Sequence, residues 1–156
     1  MKVWSFLIGS CIGVIVGFLS VFIFTYVGNV LAGGITSFQP EPFLYIACIF
    51  PFSIACGVLA HYLSSSQFLT SAGYWKMSFI FAFVLSIFVS TFGVLIGEYV
   101  VRGGVGTLNW SGTILWGLLY AILLLPLSAS LVKLFLLPIL QQAILLFRQS
   151  RFMSNK

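Results

Sequence analysis

Four apolar stretches dominate the chain, at 3–26, 43–63, 75–100 and 110–131, and none has a charged residue in its middle. Each matches the ~20 mostly apolar residues that an α-helix needs to cross a bilayer. Only 6% of the 156 residues are charged, and there is no Asp and only two Glu, Glu41 and Glu98. A typical soluble domain carries about 25% charged residues. So few charges cannot make a water-facing surface, so the expected solvent is lipid. The fold class expected is an all-α integral membrane protein with four transmembrane helices.

The segments between the stretches have loop chemistry. "GGITSFQPEP" (33–42) holds a glycine pair and two prolines, "SSSQFLTSAG" (64–73) is serine-rich, and "RGGVGTLN" (102–109) holds three glycines. Pro42 suits a first helical turn, where its missing N–H costs nothing. Glu41 beside it suits the positive end of the helix dipole. The first stretch follows Lys2 and resembles a signal peptide. It is too long for a 7–15-residue signal core and ends without a small-residue cleavage site, so an uncleaved first span is expected.

Lys and Arg are retained on the cytoplasmic side of a membrane. With four spans, one side receives Lys2, Lys76, Lys133, Arg148, Arg151 and Lys156, and the other only Arg102. Both termini are therefore expected to be cytoplasmic, most naturally at a bacterial plasma (inner) membrane. Trp4, Tyr62, Trp75, Tyr99 and Trp110 lie near span ends, where an interfacial aromatic belt belongs. The net charge of +5 is dispersed over these ends, with no basic cluster to track phosphates, so nucleic acid is not an expected partner.

Residues 1–132 are read as the transmembrane domain and 133–156 as a cytoplasmic or interfacial helix with a basic tail. The tail contains "LFLLPILQQAILLF" (134–147), short for a span and interrupted by Pro138. A fifth span would carry the terminal basic residues outward, against the charge bias. The expectation is an amphipathic helix in the cytoplasmic interface, or a long bent continuation of the fourth span.

The spans also match one another. Residues 78–100 laid over 5–27 pair Ser78-Phe79 with Ser5-Phe6 and Tyr99-Val100 with Tyr26-Val27. "YAILLLPLS" (120–128) laid over "YIACIFPFS" (45–53) keeps Tyr, Pro and Ser in place. The pattern implies a tandem two-helix hairpin, with repeats at 3–63 and 75–131, related by an axis along the membrane normal.

Gly9, Gly13 and Gly17 sit four residues apart in the first stretch and, with Ser20, mark one seam of a helix. Ser78, Ala82, Ser86, Ser90, Gly93 and Gly97 mark a longer seam on the third. Lipid gives helices no hydrophobic reason to associate, so small residues that admit a second backbone supply the packing energy. Such seams serve contacts within the chain or between copies, and the two could face each other across the repeat axis. The blander reading is that glycine is common in membrane helices.

Pro51 and Pro126 lie mid-span and are expected to kink their helices, leaving the Ala47 and Ile122 carbonyls short of a donor. Ser53 and Ser128 stand near enough to help satisfy the local backbone. These are shape-defining kinks or, less simply, a gating hinge.

The candidate polar site is Glu98 with Arg102, spaced i, i+4 in the favourable order at the outer end of the third span. His61, the one histidine, ends the second span. The pair reads as an extracytoplasmic ligand site or as an interfacial ion pair of little energetic value. His61 reads as an interfacial polar residue or an axial ligand to haem or chlorophyll. Cys11, Cys48 and Cys56 fall in apolar stretches without metal-ligand spacing and read as small hydrophobes. Asn109-Trp110-Ser111 fits a glycosylation triplet but abuts the membrane.

No mid-span charge offers a proton or ion relay, and no nucleophile–base set, carboxylate pair or phosphate loop is evident. No cofactor, metal or catalytic residue is expected, and the protein is not expected to be an enzyme. The functional expectation is a non-catalytic subunit or assembly factor of a larger membrane complex. Its partners would be the lipid bilayer and other membrane subunits, or further copies of itself. The alternative is a small oligomeric transporter or channel for a neutral or weakly polar solute.

Overall fold

Inside a bilayer the backbone has no water to bond, so each apolar stretch satisfies its own N–H and C=O groups by coiling. The computed structural model describes residues 2–31, 38–65, 70–104, 106 and 109–154, and there is no strand among them. Four helices result. α1 is Lys2–Leu31 and α2 is Pro42–Ser65. α3 (71–102) joins Ser71–Phe88 to Val94–Arg102 through a π-helical turn, Val89–Gly93. α4 (110–154) joins Trp110–Leu131 to Leu137–Ser154 through a second π-helical turn, Val132–Leu136. All four are long and apolar enough to cross a membrane.

The helix ends follow local chemistry. α2 starts on Pro42, as the sequence implies. The Thr70 hydroxyl accepts the Gly73 N–H at 3.2 Å and caps α3. The Asn109 side chain accepts the Gly112 N–H at 3.0 Å and caps α4, which gives the asparagine of the glycosylation triplet a structural task. α3 stops at Gly103, whose φ of 71° is the left-handed conformation that glycine adopts without strain.

Leu137–Ser154 continues α4 without a break. Pro138 comes two residues after the last residue of the π-helical turn, and the carbonyl four positions back, that of Leu134, lies within this wider turn, which accommodates a residue that cannot donate to it. Leu136, Leu137, Leu140 and Ile144 form one buried stripe along this segment. They join Cys56, Leu59, Ala60 and Leu63 of α2 and Phe81 and Leu85 of α3 in the main core. The apolar tail is thus core-forming, which its length alone did not reveal.

The packing is lopsided. α1 lies against α2, α2 meets the last third of α3, and α3 lies against Trp110–Leu131 of α4. The first half of α4 makes no comparably extensive contact with α1 among the described residues. In the half of the molecule that begins α2 and α4, the helices therefore stand in an open row. In the other half, the tail of α4 returns across the row to α2 and α1. There Trp4 stacks on Phe147 with ring centroids 5.7 Å apart.

Candidate functional site

The glycine seam of α1 is occupied from within the chain. A β-carbon on Gly9 would lie 2.5 Å from the Ala60 β-carbon, and one on Gly17 would lie 2.8 Å from the Ile49 α-carbon. The buried stripe runs Ser5, Gly9, Gly13, Gly17, Val21, in steps of four. Ser20 is only half-buried and turns its hydroxyl back to the Val16 carbonyl at 2.8 Å. The α1 seam thus faces α2, not α3. Its counterpart on α2, Gly57, sits against Ser10 and Phe6 and escaped the sequence reading. A search for glycines on the opposite arm of the hairpin would have found it.

The α3 seam divides its contacts. Ser78 and Ala82 are buried and Ser86 half-buried. The Ser90 hydroxyl reaches the Gly117 carbonyl of α4 at 3.2 Å. Gly93 lies beside Ala47, and Gly97 under the Phe43 ring, both facing α2. Ser90 and Thr91 also donate to the Ile87 carbonyl, at 3.2 and 2.6 Å, so two hydroxyls serve the backbone where the π-helical turn disturbs the ladder.

The two hairpins differ in register. In the first, Gly17 opposes Cys48 and Ile49. The matching residue of the second, Ser90, opposes Gly117 rather than Leu123 or Leu124, roughly two helical turns away. Pro51 is buried, whereas its match Pro126 is exposed. The packing lends the sequence repeat no support. The serines near the prolines both donate to backbone carbonyls, Ser128 to its own helix and Ser53 to the neighbouring one. Ser53 donates across to the Ser10 carbonyl at 3.3 Å. Ser128 bonds the Leu124 and Leu125 carbonyls, not that of Ile122.

The polar candidates do not converge. His61 is half-buried near the end of α2, and its carbonyl accepts the Ser64 and Ser65 hydroxyls. Glu98 and Arg102 lie on the last third of α3, towards the opposite end of the row, and their side chains lie outside the described residues. No group of three His, Cys, Asp or Glu side chains that could hold a metal occurs among the described residues.

Polar and aromatic contacts collect instead where the α4 tail crosses the start of α3. The Gln141 amide donates to the Tyr74 hydroxyl. The Lys133 ammonium lies 4.0 Å from the centre of the Trp75 ring, a cation–π contact.

Beside this crossing, α2 and α3 enclose a lateral groove. α2 and α3 run antiparallel and close on each other at Gly93 and Gly97. Towards Tyr62 and Lys76, large side chains flank them and leave a lateral groove of about 700 Å³. Its walls include Phe50 and Val58 of α2 and Ile80 and Phe88 of α3. Leu59, Phe81 and Leu85 line it and also belong to the core cluster that contains Leu137 and Leu140. The lining is almost wholly apolar, and its polar end is formed by Tyr62, Gly73 and Lys76. Sequence periodicity carries no signal for such a groove, because it depends on how two helices diverge.

No protein-family model, curated protein or solved structure matches the chain.

Proposed function

We propose that the protein is a non-catalytic subunit or assembly factor of a larger membrane complex, placed in a bacterial plasma membrane with both termini cytoplasmic. The observation that carries this reading is the open row formed by α1, α2, α3 and the first half of α4. The small-residue seams are spent in holding that row together. The outer flanks keep large apolar residues on display, among them Ile15 and Leu19 on α1 and Leu115 and Leu119 on α4. A row that does not close on itself presents extended faces to neighbours in the membrane, which suits a component that other helices cover.

The transporter or channel alternative rests on the sequence repeat, the mid-span prolines Pro51 and Pro126, and the Ser, Thr and Cys content of the spans. The different registers of the two hairpins favour the subunit reading over a pathway along a repeat axis. Placement of the termini rests on the Lys and Arg distribution.

Gentle purification from the native membrane, followed by sizing, tests the proposal. Other chains in fixed stoichiometry support it. A monomer or homo-oligomer that moves a solute across liposome membranes overturns it.

A further inference from the structure

We propose that the groove between α2 and α3 is a binding site for an anionic phospholipid, with one acyl chain between the helices and the headgroup at Lys76. Three features of the groove point to this occupant.

The first is length. From Phe50 to Tyr62, and from Lys76 to Phe88, each wall spans thirteen residues, or about 18 Å of helix from first to last. One leaflet of the hydrocarbon core is about 15 Å deep, half the bilayer's ~30 Å. The groove therefore has the reach of a single acyl chain measured from the headgroup level.

The second is shape. The helices touch at Gly93 and Gly97 and separate towards Lys76, so the groove is a wedge with its mouth at the polar end. A helix, ~10–12 Å across with its side chains, does not fit the closed end. A flexible chain does.

The third is charge. The mouth holds the Lys76 ammonium and the first turns of α3, whose helix dipole is positive at that end. The chain's two carboxylates, Glu41 and Glu98, belong to the opposite ends of α2 and α3. Tyr62 lines the mouth, in a sequence position suited to the headgroup level. An apolar slot with a single cationic end selects a long apolar molecule with an anionic head.

The site goes beyond the subunit reading and stands whether or not partner chains exist. Native mass spectrometry of the purified full chain in detergent tests it, with dioleoyl phosphatidylglycerol and dioleoyl phosphatidylcholine as probes. The wild type is expected to hold the anionic lipid about fivefold more tightly, the effect of one Lys at a membrane surface. Lys76→Gln should bring that ratio near one and leave the zwitterionic lipid unaffected. Val58→Trp should weaken both lipids by filling the groove. Ile80→Trp, on the opposite wall, serves the same end should the first variant fail to fold. Equal binding of the two lipids by the wild type overturns the proposal, as does a ratio unchanged in Lys76→Gln. Photocrosslinking from position 80 in native membranes that captures a polypeptide in place of lipid also overturns it.

Discussion

Gly13 packs so closely on Ser53 that a β-carbon added to it would lie 2.7 Å from the Ser53 α-carbon. The obstacle is backbone and cannot rotate aside. Gly13→Ala should therefore destabilise the α1–α2 hairpin by about 1–3 kcal/mol, the usual cost of overpacking, despite the better helix propensity of alanine. Gly97→Ala meets only the Phe43 ring, the far end of a flexible side chain, and should cost much less. Gly104→Ala meets nothing within 4 Å and should be neutral. Unfolding of the three variants by a denaturing detergent gives the order. Equal effects at positions 13 and 104 would mean that α1 is not held through this seam.

Ser90 and Gly117 join α3 to α4 through a hydroxyl-to-carbonyl bond at 3.2 Å. Removing the hydroxyl with Ser90→Ala should cost about 0.6 kcal/mol, near the average for interhelical bonds in membranes. Gly117→Val should cost more, since its first side-chain carbon would already lie 3.1 Å from the Ser90 oxygen. In the double variant the two costs should not add, because the alanine makes room for the valine. Strict additivity would show that the two residues are not in contact.

The first three spans were legible in the sequence because a bilayer permits few answers to a long uncharged run. The α1 seam was legible as three glycines, but not its partner. A period of four places Gly9, Gly13 and Gly17 on one face, and nothing in that spacing distinguishes α2 from α3 or from a second copy. The fourth helix was harder to read because Pro138 looks like a stop signal. A π-helical turn of five residues, Val132–Leu136, absorbs that proline, and no composition rule marks where such a turn will form. The groove was not legible at all. Phe50, Val58, Ile80 and Phe88 look like any lipid-facing residues until two helices are seen to diverge around them.

Cys56 lies beneath the glycine seam with no exposed surface, Cys48 is equally buried, and Cys11 is exposed. Thiol chemistry needs access as well as a thiolate. In gentle detergent, Cys11 should be the first thiol that N-ethylmaleimide labels, slowly because its exposed face meets detergent tails, which disfavour the thiolate. The other two sites should react only after denaturation in sodium dodecyl sulfate. Intact-mass measurement counts the additions, and rapid labelling of Cys56 in the folded protein would contradict close packing of α1 on α2.

Leu140 carries the last prediction, because it decides whether the α4 tail is part of the fold or an attachment to it. Its side chain is fully buried, as is that of Leu137, and both share a core cluster with Cys56, Leu59 and Phe81. Leu145 and Leu146, a turn or so further on, are exposed. A tail that merely rests on the membrane would respond to its overall hydrophobicity, so alanine at 140 and alanine at 146 would have equal effects. A tail that completes the core responds to position. Leu140→Ala leaves a cavity among fixed neighbours and should cost about 2–5 kcal/mol by the measure of soluble cores, less any share that lipid contacts restore in the unfolded state. Leu146→Ala removes only lipid contacts and should cost little. Tyr74→Phe, which deletes the acceptor for the Gln141 amide, should loosen the same segment. Hydrogen exchange over 137–147 should then rise in Leu140→Ala and in Tyr74→Phe while Leu146→Ala stays at the wild-type rate. Identical exchange in all three variants would return the tail to the interface.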